Sequence, residues 1–159
     1  MAEEYGAGVL PGFFEEPVGI AIGNDGDIYV NDTWNQRIQV FDWDFQFVRE
    51  WTVDAWYGES VVNKPFIAVD ALERIYITDP EGYRILVFES DGSFVDSLGR
   101  YGTEDDAFML PTGIAVDPEG YLFIEGRISR FSKLGGEMVP HGRVEQVIAE
   151  CFHLDDSED

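Results

Sequence analysis

A chain of 159 residues that is 45% hydrophobic and 26% charged has the size of one domain and is too apolar to be disordered throughout. Ten basic side chains stand against 32 acidic ones, a net charge of −22, and such a field repels nucleic-acid phosphates and anionic lipid while favouring a basic protein or peptide, a divalent cation or a cationic ligand. The lone Cys151 excludes an intrachain disulfide and a Cys-based zinc site, and no apolar run is long enough to insert into a membrane as a helix.

The first twelve residues, Met1 to Gly12, hold no basic stretch followed by an apolar one, so they do not read as a signal peptide. A chain beginning here is expected to stay in the cytoplasm; the compartment is otherwise open. Acidity by itself also serves solubility or a high-salt habitat.

From Pro17 the sequence repeats itself. The segment PVGIAIGNDGDIYVNDTWNQRIQVF is followed from Pro65 by PFIAVDALERIYITDPEGYRILVF and from Pro111 by PTGIAVDPEGYLFIEGRISRF. Asp32 and Asp79, Arg37 and Arg84, and Phe41 and Phe88 are each 47 residues apart. Within a unit the period is two: Ile20 and Ile22 flank Ala21, Ile28 and Val30 flank Tyr29, and Ile38 and Val40 flank Gln39. Alternation of this kind, carried by β-branched and aromatic residues, predicts strands. Asn24-Asp25-Gly26, Asp91-Gly92 and Glu119-Gly120 supply turns between them. The expected strands are 18–22, 27–31, 37–42 and 45–51 in the first unit and 66–70, 74–78, 84–89 and 93–98 in the second.

Each unit is thus a four-stranded antiparallel meander, and a meander recurring at this interval predicts an all-β protein of β-propeller blades. The blades are expected at about 13–60, 61–106 and 107–139 within a region 1–140. One twisted sheet cannot bury both its faces, so neighbouring sheets must stack.

The residues Pro17, Gly19, Ile20, Ala21, then Asp25, Gly26, Ile28, Tyr29, Val30, Asp32, Thr33, Asn35, Arg37, Ile38, Gln39, Val40 and Phe41 resemble the NHL repeat. The second and third units resemble it through Pro65, Ile67, Asp70, Ile75, Asp79 and Arg84, and through Pro111, Gly113, Ile114, Asp117 and Gly120. The resemblance implies blades of a propeller that mostly has six, so three blades correspond to half a ring. Two copies closing one ring, the remainder of a longer propeller chain, or an open arc capped by its own ends would each complete the picture. Wording ahead of the blades is also shared: Tyr5-Gly6-Ala7-Gly8 and Phe13 parallel Tyr101-Gly102-Thr103 and Phe108.

The third unit is degenerate. After Ile124 it has Glu-Gly-Arg-Ile where the others have a longer loop, a shortfall of four residues when Phe131 is aligned with Phe41, and its fourth strand is indistinct. Beyond it, region 141–159 changes period. Val144, Val147, Ile148 and Cys151 sit at helical spacing and predict a short amphipathic C-terminal helix, followed by an acidic tail.

Candidate chemistry is sparse. The Asp32 to Arg37 and Asp79 to Arg84 pairs recur at one spacing and read as structural loop pairs, each Asp fixing its turn and each Arg meeting a carboxylate. Propeller enzymes resembling lactonases and amidoglycolate lyases hold a metal in the central channel, but His141 and His153, the two histidines of the chain, follow the last blade. No nucleophile with a base, calcium loop or dedicated carboxylate pair stands out, so no catalytic residue, metal ligand or cofactor is assigned. Loop aromatics are the binding candidates: Trp34 and Tyr83 after the second strands, and Trp56 and Tyr57 in the link between units one and two. They either pack between blades or form an aromatic rim in an acidic field, suited to a basic peptide or a sugar. The preferred expectation is a non-enzymatic scaffold that binds a protein or ligand and completes its ring by pairing with a second copy of itself as a homodimer. A piece of a propeller hydrolase or lyase, and a half-propeller without a ligand, are the alternatives.

Overall fold

The alternation of apolar residues is realised as three antiparallel sheets. The computed structural model describes residues 7–56, 63–104, 107–126, 131–134 and 137–140. The first sheet contains β1 (Pro17–Ile22), β2 (Ile28–Asp32), β3 (Arg37–Phe41) and β4 (Phe47–Thr52). The second contains β5 (Ile67–Val69), β6 (Ile75–Asp79), β7 (Arg84–Phe88) and β8 (Phe94–Leu98), and the third β9 (Pro111–Val116), β10 (Leu122–Gly126), β11 (Phe131–Leu134) and β12 (Glu137–Pro140). In each the strands neighbour one another in chain order.

The indistinct fourth strand of unit three is present: β12 pairs with β11 from Leu134 against Glu137 to Phe131 against Pro140. The β10 to β11 register also corrects the alignment of that unit. Ile124 faces Phe131, where the equivalent Val30 faces Gln39, so the connection is two residues shorter than in the first sheet rather than four. Phe131 therefore takes the register of Gln39 and not that of Phe41. The expected C-terminal helix and the acidic tail lie outside the described residues.

Period two gives every sheet two apolar faces, and stacking buries the facing ones in two layers. Between sheets one and two lie Tyr29, Ile38, Val40, Val53 and Trp56 from one side and Ile67, Ile75, Ile77, Leu86 and Phe88 from the other. Between sheets two and three lie Tyr76, Ile85 and Val87 with Phe108, Leu122 and Ile124. Each fully buried aliphatic or aromatic side chain contributes about 1.5–3 kcal/mol, so these layers dominate the stability. The hairpins between the first two strands of each sheet share one backbone requirement. Gly26, Glu73 and Gly120 occupy the same register with φ of 91°, 61° and 89°, a left-handed conformation that glycine adopts without a Cβ clash.

Candidate ligand-binding rim

In the first two sheets the loops between the second and third strands fall at the same end of the stack as the segments that lead into the sheets. Pro17 opens β1 directly opposite Asp32, which closes β2. This end is therefore where Trp34, Tyr83 and the leading segments meet.

A buried polar network fixes it in the first sheet. Asp32 is wholly buried and accepts hydrogen bonds from the Glu15 amide at 2.7 Å, Arg37 Nε at 2.7 Å, Asn35 Nδ2 at 2.9 Å and Gln39 Nε2 at 3.0 Å. The Arg37 guanidinium then reaches outward, donating to the carbonyls of Val9, Leu10 and Phe13 and to the Glu50 carboxylate. Gln39 accepts from the Gly12 amide at 2.8 Å and donates to the Phe13 carbonyl at 2.7 Å. A charged pair removed from water is tolerable only when its remaining lone pairs and protons are satisfied, and here they are. The result is that residues 8–15 are laced onto the end of the sheet, presenting Val9 and Leu10 to solvent.

The second sheet repeats the pair with fewer partners. Arg84 Nε donates to Asp79 at 2.7 Å, and the other Asp79 oxygen accepts from the Gly82 amide at 3.2 Å.

Of the four aromatic candidates, Trp34 lies on this surface and is 49% exposed. Its amide donates to the Glu15 carbonyl at 3.3 Å. Its indole and the Lys64 ammonium bond the Glu16 carboxylate and hold that carboxyl below its usual range. Tyr83 is half-buried and meets Tyr101 edge-on, ring centroids 4.8 Å apart. Trp34 and Tyr83 do not share a register: Trp34 corresponds to Glu81, and Tyr83 to Gln36, both members of the latter pair having left-handed backbones. Trp56 is not a surface ring. It is fully buried between sheets one and two, with its indole N–H aimed at the Thr78 carbonyl, 3.4 Å away. Tyr57 lies outside the described residues.

Tyr101, Val9 and Leu10, not among the binding candidates read from the sequence, are exposed at the same end. The Tyr-Gly pattern ahead of Phe108 was the available sign, since it marks a leading segment whose ring must sit at the same end of the stack. The outer face of the first sheet, which stacking was expected to leave uncovered, carries an apolar groove of about 590 Å³ lined by Phe14, Ile20, Ile28, Val30 and Phe41 among others. Among the described residues no three His, Cys, Asp or Glu side chains converge as a metal-ligand set, and no helix is long and apolar enough to cross a membrane.

Stacked four-stranded meanders linked in this way are blades of a β-propeller. Residues 14–41 match the NHL repeat family. The chain is 29% identical over 119 residues to the B-box type zinc finger protein ncl-1 of Caenorhabditis elegans and 27% identical over 119 residues to Protein brain tumor of Drosophila melanogaster. Those matches take in 74% of this chain but only 13% and 11% of the two relatives, so the chain spans a small part of their length. Among solved structures it resembles a streptogramin B lyase, with a TM-score of 0.60 and 17% identity over 81% of this chain and 40% of that one. It also resembles the virginiamycin B lyase of Staphylococcus aureus, with a TM-score of 0.59 and 21% identity over 77% of this chain and 40% of the other. At such identities the likeness is one of fold. The chain is built of β-propeller blades, the first of which carries a match to the NHL repeat at residues 14–41.

Proposed function

We propose that this module is a non-enzymatic scaffold whose rim of Trp34, Tyr83 and Tyr101 receives a basic peptide segment of a partner protein. The observation that carries the reading is Trp34: a half-exposed indole held by its own amide and by Glu16, at an end of the stack that also displays Val9 and Leu10. Large aromatics fixed in a polar loop offer contact area at low entropic cost, and their π faces attract cations. The net charge of −22 steers a basic partner toward the surface. The likeness to lyases supports the fold alone, so nothing specific favours a hydrolase or lyase reading, in which further blades would supply a metal site.

The outer face of the first sheet calls for cover, and we take the ring to be completed by further blades, from a second copy of this chain or from the remainder of a longer one. The rim is tested by titrating the chain with Lys/Arg-rich and Asp/Glu-rich peptides and with simple sugars by calorimetry. The basic peptide alone is expected to bind, more weakly as salt rises, and Trp34→Ala is expected to weaken it about ten-fold, the usual cost of losing one aromatic anchor. Equal binding by wild type and Trp34→Ala, or no binding of basic peptides, would count against the rim.

A further inference from the structure

Asn31, Thr78 and Glu125 are successive members of one register, 47 residues apart, each the fourth residue of the second strand in its sheet. The first two do the same work. Asn31 Nδ2 donates to the Pro65 carbonyl at 3.1 Å, and Thr78 Oγ1 donates to the Thr112 carbonyl at 3.2 Å, in each case 34 residues further on and in the lead-in or first strand of the next blade. Asn31 and Thr78 are both wholly buried. The space they need is provided across the strand pair: a Cβ on Gly19, opposite Asn31, would stand 2.8 Å from Asn31 Nδ2. A buried side-chain donor on one blade meeting a backbone carbonyl on the next thus keys both interfaces of the molecule.

The carbonyl that precedes Pro65 and Thr112 in this series is that of Val18, on the first sheet. The same sheet's outer face carries Ile20, Ile22, Ile28, Val30 and Phe41, the counterparts of Ile67, Val69, Ile75, Ile77 and Phe88. Those counterparts pack under the cover of sheet one. Ile67 is 6% exposed whereas Ile20 is 65% exposed. The outer face has the composition of a blade interface: Ile28 and Phe41 are already buried, with Phe14 packed on Phe41, but Ile20 and Ile22 lie open. At the opposite end of the stack, the donor position is filled by Glu125, exposed beside Phe123 and Ala115.

We propose that the outer face of the first sheet is a socket for a further blade whose second strand carries an amide or hydroxyl side chain that donates to the Val18 carbonyl, and that Glu125 bars the third sheet of a second copy from that socket. The proposal rests on the reading above that further blades complete the ring, and it settles which kind. An ionised carboxylate has no proton to donate. Set against a carbonyl in a dry interface, it would leave two acceptors facing each other and a charge stripped of water without a partner. The occupant is therefore a blade of different sequence from β9–β12, bearing Asn, Thr or Ser in the Asn31 register.

The test is the mass of the full chain by sedimentation equilibrium, from low to high micromolar, at neutral pH and in salt sufficient to screen the surface charge. The wild type is expected to remain at 18.0 kDa. Glu125→Thr and Glu125→Asn are expected to associate to about twice that mass, with self-affinity raised about ten-fold or more, as restoring one buried hydrogen bond in place of an unpaired charge requires. Adding Ile20→Lys, a change at an exposed position of the socket, is expected to return them to single mass. Glu119→Gln removes the same charge from an exposed turn of the third sheet and is expected to do nothing. A wild type already doubled, and returned to single mass by Ile20→Lys, would overturn the role of Glu125 while leaving ring completion standing. Glu125 variants that stay at single mass would overturn the role of Glu125 as the barrier, while leaving completion of the ring by the remainder of a longer chain standing. Equal association of Glu119→Gln would reduce the effect to charge and overturn the proposal.

Discussion

Arg37 and Asp32 meet at 2.7 Å with their side chains 8% and 0% exposed, whereas the equivalent Arg84 and Asp79, at the same distance, leave the arginine side chain 40% exposed. One repeated sequence feature therefore has two energetic weights. In the first sheet, removing the carboxylate takes the buried partner from Arg37, leaving it only the more exposed Glu50 carboxylate and backbone carbonyls, and also releases the Glu15, Asn35 and Gln39 donors. Asp32→Ala is expected to cost about 3–5 kcal/mol, the range for breaking a buried pair from one side. Asp79→Ala loses the bonds to Gly82 and Arg84, but Arg84 can turn to water, so about 1–2 kcal/mol is expected. Urea midpoints of the two variants measure the difference; equal losses would show that burial does not set the weight.

Two tryptophans that look alike in the sequence are expected to behave in opposite ways. Trp56 fills the layer between the first two sheets, so Trp56→Ala leaves a cavity and is expected to cost about 3–5 kcal/mol. Trp34 sits on the rim, and Trp34→Ala is expected to shift stability by about 0.5 kcal/mol or less while abolishing most peptide binding. Thermal melts of the two variants, run beside the peptide titration, separate a packing ring from a contact ring.

The blades were legible because their signal is redundant. Ile28, Val30, Ile75 and Ile77 alternate with Tyr29 and Tyr76, and the repeat states each strand twice or more, so the observed boundaries fall within about two residues of those read from pattern. The third unit was less legible. Its deviation from the repeat removed the second copy of the signal, and only strand pairing reveals that Phe131 stands opposite Ile124. For the candidate rim, spacing placed Trp34 and Tyr83 in loops but could not say which rings turn inward. Trp34 and Trp56 both fall in connecting segments between strands, and what separates them is whether the next sheet arrives on top, a contact made by residues far along the chain. Tyr101 escaped for a related reason, since its partner Tyr83 comes from a separate segment, the loop between β6 and β7.

The two buried tyrosines give the molecule an alkaline limit. Burial pushes the Tyr29 phenol from 10.0 up to about 12 despite the nearby Arg49 guanidinium, which acts in the opposite direction. Burial does the same to Tyr76, reinforced by the hydrogen bond its hydroxyl donates to Asp70 at 3.0 Å and by that carboxylate's charge. A raised native value means that the folded state keeps a proton which the unfolded state gives up. Below pH 10 both states are protonated and the contribution is fully present. Between about pH 10 and 12 the unfolded chain ionises first, binds fewer protons than the native one, and gains stability relative to it. Each tyrosine is therefore expected to withdraw on the order of 2 kcal/mol across that window. Urea midpoints at pH 9 and above pH 11 measure the loss. Tyr76→Phe keeps the ring and removes the titration, so its alkaline slope is expected to be shallower than that of the wild type. An unchanged slope would mean that the Tyr76 phenol titrates at its ordinary value in the folded chain.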